Sequence, residues 1–175
     1  KNYAPSLEVK NDWVKRQLDS FTFKIPEKFI VFAPGAVYGP SKQWPVEHYK
    51  ELGEKLHIAF GYKIILLGTY DDIESSEKIS QDHNWIYNYC GKTTLAQLLA
   101  ILTKAQLLVG NDSGSMHLMA ALQRPQIAVF GSTSPTWTGP INSNATVISR
   151  NLTCSPCFSR TCRFGHYECL TQINP

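Results

Sequence analysis

The chain has 175 residues, 43% hydrophobic and 18% charged, with a formal net charge of +3. This is the composition of one ordinary globular domain, able to bury roughly 70% of the surface its unfolded chain exposes, and it excludes disordered and fibrous classes. The mild positive charge admits an anionic small ligand or a loose contact with an anionic membrane and gives little support to nucleic-acid binding.

Residues 1–25 are expected to form an entry linker with a short helix around Trp13 to Leu18. No apolar run is long enough to span a bilayer, and no charged-then-apolar leader is present. Lys1 stands first instead of Met, so the sequence is expected to be processed or to be part of a longer protein. Phe29 to Ala33 is a continuous apolar run ending at Pro34-Gly35, the pattern of a buried parallel strand. Pro45 then opens a helix with Val46, Tyr49, Leu52, Leu56 and Ala59 on one face, and Gly61 stops it. A second strand is read at Lys63 to Leu67, an exposed helix at Asp71 to Gln81, and a third strand at Trp85 to Tyr89. An amphipathic helix follows at Thr94 to Ala105, then a fourth strand at Leu107 to Val109 and a helix from Ser113. Gln126 to Phe130 is a fifth strand and Ala145 to Ile148 a sixth. Strands alternating with helices imply right-handed crossovers and an α/β, Rossmann-like parallel sheet flanked by helices. The expected division is 1–25 linker, 26–150 domain and 151–175 cysteine-containing tail.

Ligands of such sheets bind at the carboxyl ends of the strands, where the polar and glycine-rich segments of this chain fall. The most informative of them is Asn111-Asp112-Ser113-Gly114-Ser115-Met116-His117. A helix start leaves backbone N–H groups unpaired and favours anions, phosphate above all. Gly114 permits close backbone approach, and the Ser113 and Ser115 hydroxyls add donors. Asp112 is anomalous beside a phosphate. It either caps the helix or faces sugar hydroxyls. An ordinary capped helix start explains this segment about as well. His117, one turn in, reads as a core histidine or as a phosphate or sugar contact.

The loop Ala33 to Pro45 is glycine-rich but carries neither a dinucleotide fingerprint nor a Walker A motif. Lys42, its only cation, is either a solvated loop lysine or a point charge on a diphosphate. Trp44-Pro45 reads as packing and helix initiation, and Lys92-Thr93-Thr94 first as a helix cap and second as a ligand contact.

Together the segments F-A-P-G-A-V-Y-G-P-S-K-Q-W-P, N-D-S-G-S-M-H-L-M-A-A-L and A-V-F-G-S-T-S-P-T-W-T-G-P resemble the ADP-heptose:lipopolysaccharide heptosyltransferases, and among them the heptosyltransferase II group. The resemblance covers the C-terminal half of that family. It implies the donor-binding domain of a GT-B glycosyltransferase, two Rossmann-like domains with the active site between them. It implies Lys42 near the diphosphate, Ser113, Gly114 and His117 at phosphate, and Asp112 at sugar hydroxyls. Thr93 would lie toward the adenine, and Asp72 or Asp71 near the ribose. Val37-Tyr38 replaces a pair of threonines found in some relatives. The implied reaction is inverting transfer from ADP-heptose to a lipid A–Kdo inner-core acceptor held by an N-terminal domain, which also supplies the base. No catalytic residue is therefore expected in this chain, and no cofactor or nucleic-acid partner. A cytoplasmic location, with peripheral contact at the inner membrane, is implied. Another nucleotide-sugar enzyme, using UDP sugars as a transferase or an epimerase, stays open, as does a non-catalytic metal-binding module.

The tail holds Cys154, Cys157, Cys162 and Cys169 as C-x2-C-x4-C-x6-C. Four thiols this close present a tetrahedral, zinc-like set, but the spacings are shorter than in common zinc ribbons. Reduced thiols, or disulfides formed after purification, compete with it, and the expectation is no metal.

Overall fold

A computed structural model describes residues 5–175; residues 1–4 of the expected entry linker lie outside the described part. Six strands form one all-parallel sheet. They are β1 (Phe29–Ala33), β2 (Lys63–Leu66), β3 (Ile86–Asn88), β4 (Leu108–Asn111), β5 (Gln126–Phe130) and β6 (Ala145–Ser149), in the order β3-β2-β1-β4-β5-β6. The chain builds outward from β1 to β3, then crosses back to lay β4 on the other side of β1. Val31 accordingly pairs with Ile65 on one side and with Leu108 on the other.

The continuous apolar strands follow from burial on both faces. Ile30 and Phe32 of β1, with Ile64 and Leu66 of β2, face one core, and Phe29, Val31 and Ala33, with Ile65, face the other. The first core is closed by helices α2 (Val46–Phe60), α3 (Ile73–Ser80) and α7 (Glu168–Thr171), through Tyr49, Ile79 and Leu170. The second is closed by α1 (Asn11–Asp19), α4 (Leu95–Lys104) and α5 (Gly114–Ala121), through Leu18, Ile101, Leu102 and Met119. A further single-turn helix, α6 (Pro135–Thr138), follows β5.

Local signals set the helix ends. Pro45 precedes α2, and Gly61 ends it in the left-handed region at φ 70°. Thr94 caps α4 through a reciprocal box with Gln97: the Gln97 N–H donates to Thr94 Oγ1 at 3.2 Å, and the Thr94 N–H donates to Gln97 Oε1 at 3.0 Å. The expected face of α2 packs at Val46, Tyr49, Leu52 and Leu56, but Ala59 is exposed together with Ile58 and Phe60. Among the described residues no helix is long and apolar enough to cross a membrane.

Candidate functional site

The reversal of direction between β1 and β4 opens a crevice at the carboxyl edge of the sheet, where open α/β sheets bind ligands. Its volume is about 450 Å³. The loops after four strands line it: Gly35 and Val37 after β1, Thr69 and Asp72 after β2, Thr93 after β3, and Ser113 with Gly114 after β4.

Asn111, the last residue of β4, fixes two of these walls to each other. Fully buried, its Oδ1 accepts from the Trp44 N–H at 3.1 Å and from the Tyr49 hydroxyl at 3.2 Å, and its amide donates to the Pro34 carbonyl at 2.6 Å. Burial pushes the Tyr49 phenol up, which keeps it neutral and a donor. The loop carrying Lys42 is thereby pinned beside the start of α5.

At that start the residue before the helix is Ser113, and no side chain caps the free N–H groups. The Ser113 hydroxyl is buried without a hydrogen-bond partner. A buried hydroxyl left unpaired costs about 1–3 kcal/mol, which a polar ligand in the crevice would recover. A Cβ on Gly114 would meet nothing within 4 Å. Open backbone, unpaired N–H groups and an unpaired hydroxyl thus share one spot, which is the physical specification of an oxyanion site.

Asp112 does not cap the helix. Its Oδ2 accepts from Lys42 Nζ at 2.6 Å, from Thr133 Oγ1 at 2.7 Å and from Thr138 Oγ1 at 3.0 Å. The side chains of Lys42 and Asp112 are only 11% and 5% exposed, so Lys42 is not a solvated loop lysine. Its ammonium also lies 4.8 Å from the centre of the Tyr38 ring. This pairing resolves the anomaly of a carboxylate beside an anion site, because a buried charge is tolerated when it is paired and hydrogen-bonded, here by one cation and two hydroxyls.

Asp72 is buried on the crevice wall, where its carboxylate accepts from the Thr69 N–H and hydroxyl at 2.7 and 2.8 Å. A Cβ on Gly35 would fall 2.2 Å from Asp72 Oδ1, so glycine is required for this carboxylate to lie there. Asp71 is exposed outside the lining. Thr93 lines the crevice, and Thr94 does so while capping α4. His117 is exposed on the first turn of α5 and is neither a core residue nor part of the lining. Trp44 is buried, with its indole N–H on the Ile173 carbonyl at 2.9 Å, as packing requires.

Residues 1–168 match glycosyltransferase family 9 (heptosyltransferase). The chain belongs to this family. Lipopolysaccharide heptosyltransferase 2 of Salmonella typhimurium is 37% identical to it over 149 residues, 82% of this chain and 42% of that protein. Lipooligosaccharide heptosyltransferase 2 of Haemophilus influenzae is 38% identical over 139 residues, 76% of this chain and 40% of that protein. The structure of the E. coli ADP-heptose LPS heptosyltransferase II matches with a TM-score of 0.82 at 34% identity, covering 98% of this chain and 50% of that one. The chain therefore spans half or less of the length of these relatives.

Within this family 9 domain, the structure brings Ser113, Gly114, Thr93 and Asp72 to one crevice; Lys42 and Asp112, bonded to each other, do not line it. His117 stands apart. Sequence reasoning missed Thr133 and Thr138, which hold Asp112, and Asn111, which joins the walls. A polar amide at the end of an apolar strand was the available signal for Asn111; the two threonines lie in the quoted segment after β5, but nothing in it shows that they meet Asp112.

Proposed function

We propose that this chain is the donor half of an inverting heptosyltransferase, the part that binds ADP-heptose for transfer to the lipopolysaccharide inner core. The observation that carries this reading is the uncapped start of α5, with the buried Ser113 hydroxyl unpaired and Gly114 open to the crevice. Family membership supplies the class of ligand. Among similar structures are two of one E. coli heptosyltransferase, with ADP, matched at 29% identity, and with ADP-2-deoxy-2-fluoro heptose, matched at 25%.

In this reading the diphosphate lies on the N–H groups of Gly114 and its neighbours and on the Ser113 hydroxyl. Thr93 and Asp72 take the adenosine end, and His117 approaches from the rim. Lys42 turns from Asp112 to the phosphates, and Asp112 receives a sugar hydroxyl. As the acceptor hydroxyl attacks the anomeric carbon, the bond to the diphosphate breaks and negative charge grows on the leaving ADP. Helix N–H groups and an ammonium stabilise that charge where it develops. The general base and the lipid A–Kdo acceptor belong to the half of the relatives that this chain does not match. A cytoplasmic enzyme in peripheral contact with the inner membrane fits this role.

Calorimetric titration with ADP, UDP and GDP tests the reading. ADP is expected to bind tightest, and ADP-heptose is expected to bind without being turned over on an inner-core acceptor. Preference for UDP would assign the domain to a UDP-sugar enzyme, absence of nucleotide binding would remove the donor role, and turnover by this chain alone would sink the two-half reading.

A further inference from the structure

None of the five cysteines lines the crevice. Cys154, Cys157, Cys162 and Cys169 all line one small void of about 20 Å³ behind the loops that carry Lys42 and Thr133. That is little more than the space of one water or one ion. All four are free thiols. We propose that they form a four-thiolate site for zinc, which fastens the tail to the donor domain.

Residues 150–167 contain no helix or strand, yet their backbone is tied closely to the domain. Ser155 Oγ donates to the Gly131 carbonyl at 2.6 Å, the Phe158 N–H to the Ser132 carbonyl at 2.8 Å, and the Ser41 N–H to the Arg160 carbonyl at 3.2 Å. This frame brings cysteines spread over C-x2-C-x4-C-x6-C to the walls of one void, so spacings unlike those of zinc ribbons converge in space. Apolar interiors fill their voids with side chains, whereas four of the residues lining this one are cysteines.

Four thiolates side by side would repel one another, and each is attracted to a bound dication. His166 does not compete as a ligand through Nδ1, which accepts the Glu168 N–H at 3.0 Å. Among the described residues no three His, Cys, Asp or Glu side chains stand close enough together to hold an ion as they are. Binding therefore has to draw the sulfurs inward across the void, toward the Zn–S distance of about 2.3 Å. Four protein ligands leave no open position, so the site is structural and takes no part in transfer.

The test uses the reduced chain, stripped of metal by chelation, given zinc chloride and then dialysed. One zinc per chain is expected by mass spectrometry of the metal. Cobalt in its place should give the strong visible bands of a tetrahedral thiolate complex. Cys162→Ser, a half-exposed position, and Cys157→Ser should each lose the ion. Cys90→Ser, on the far buried thiol beside Ser76, should keep it. Failure of the reduced chain to retain zinc overturns the proposal. So does retention that survives both tail substitutions, or loss that Cys90→Ser produces equally.

Discussion

Asp112 is held on one side only. Three donors converge on Oδ2, and no donor among the described residues meets Oδ1. Breaking a buried pair by deleting one partner ordinarily costs about 3–5 kcal/mol, so the two proposed roles have to be separated by a variant that keeps the shape. Asp112→Asn does this. It releases Lys42 from its carboxylate, so affinity for ADP should hold or rise slightly. Affinity for ADP-heptose should fall about tenfold or more, since hydrogen bonds to charged groups contribute about 1.5–3 kcal/mol. Thr138→Val should move the same ratio in the same direction by a smaller amount, because it loosens the carboxylate without removing it. Equal losses for both ligands in Asp112→Asn would make the residue structural.

At the scale of the element, the start of α5 permits a clean experiment. Gly114 is not in the left-handed region, and a side chain there meets no protein atom within 4 Å. Gly114→Val should therefore fold with nearly unchanged stability, while its branched side chain fills the space assigned to phosphate. Loss of ADP binding with an intact thermal transition is the expected result. Retained binding would move the diphosphate elsewhere. The elements themselves were largely legible in sequence because β1, β2 and β5 are short apolar runs bounded by turn residues, and α2 and α4 carry caps. α6 and α7, of four residues each, were not, since one turn is too short to show a period. The site was legible to the same depth. Lys42 and Asp112 both fell at strand ends, but their contact joins positions 70 apart, and the part played by Thr133 and Thr138 depends on β4 and β5 lying side by side.

At the scale of the molecule, β1 lies between β2 and β4, and the loops after these three strands supply most of the crevice. A ligand that ties them together is bound only by the folded sheet, so it should stabilise the fold as a unit. At about a hundred times its dissociation constant the gain is about 2.7 kcal/mol. For a chain of this size that corresponds to roughly 5–10 °C in Tm. A single transition moving upward with ADP concentration is expected in scanning calorimetry. An unmoved transition in the presence of excess ADP would show that ADP does not bind the folded chain in preference to the unfolded one.

The Lys42–Asp112 pair has one further consequence, for the order of events in turnover. A diphosphate that recruits Lys42 must first displace a carboxylate from it, so the protein carries its own competitor for the ligand. An intact sugar nucleotide replaces both partners, giving phosphate to Lys42 and a hydroxyl to Asp112. Spent ADP replaces only one and leaves a buried carboxylate short of a donor. On the proposed roles the pair re-forms as the sugar departs, which discriminates against the product and speeds its release. The two affinities compared in Asp112→Asn are therefore also a measure of how strongly the resting pair expels ADP.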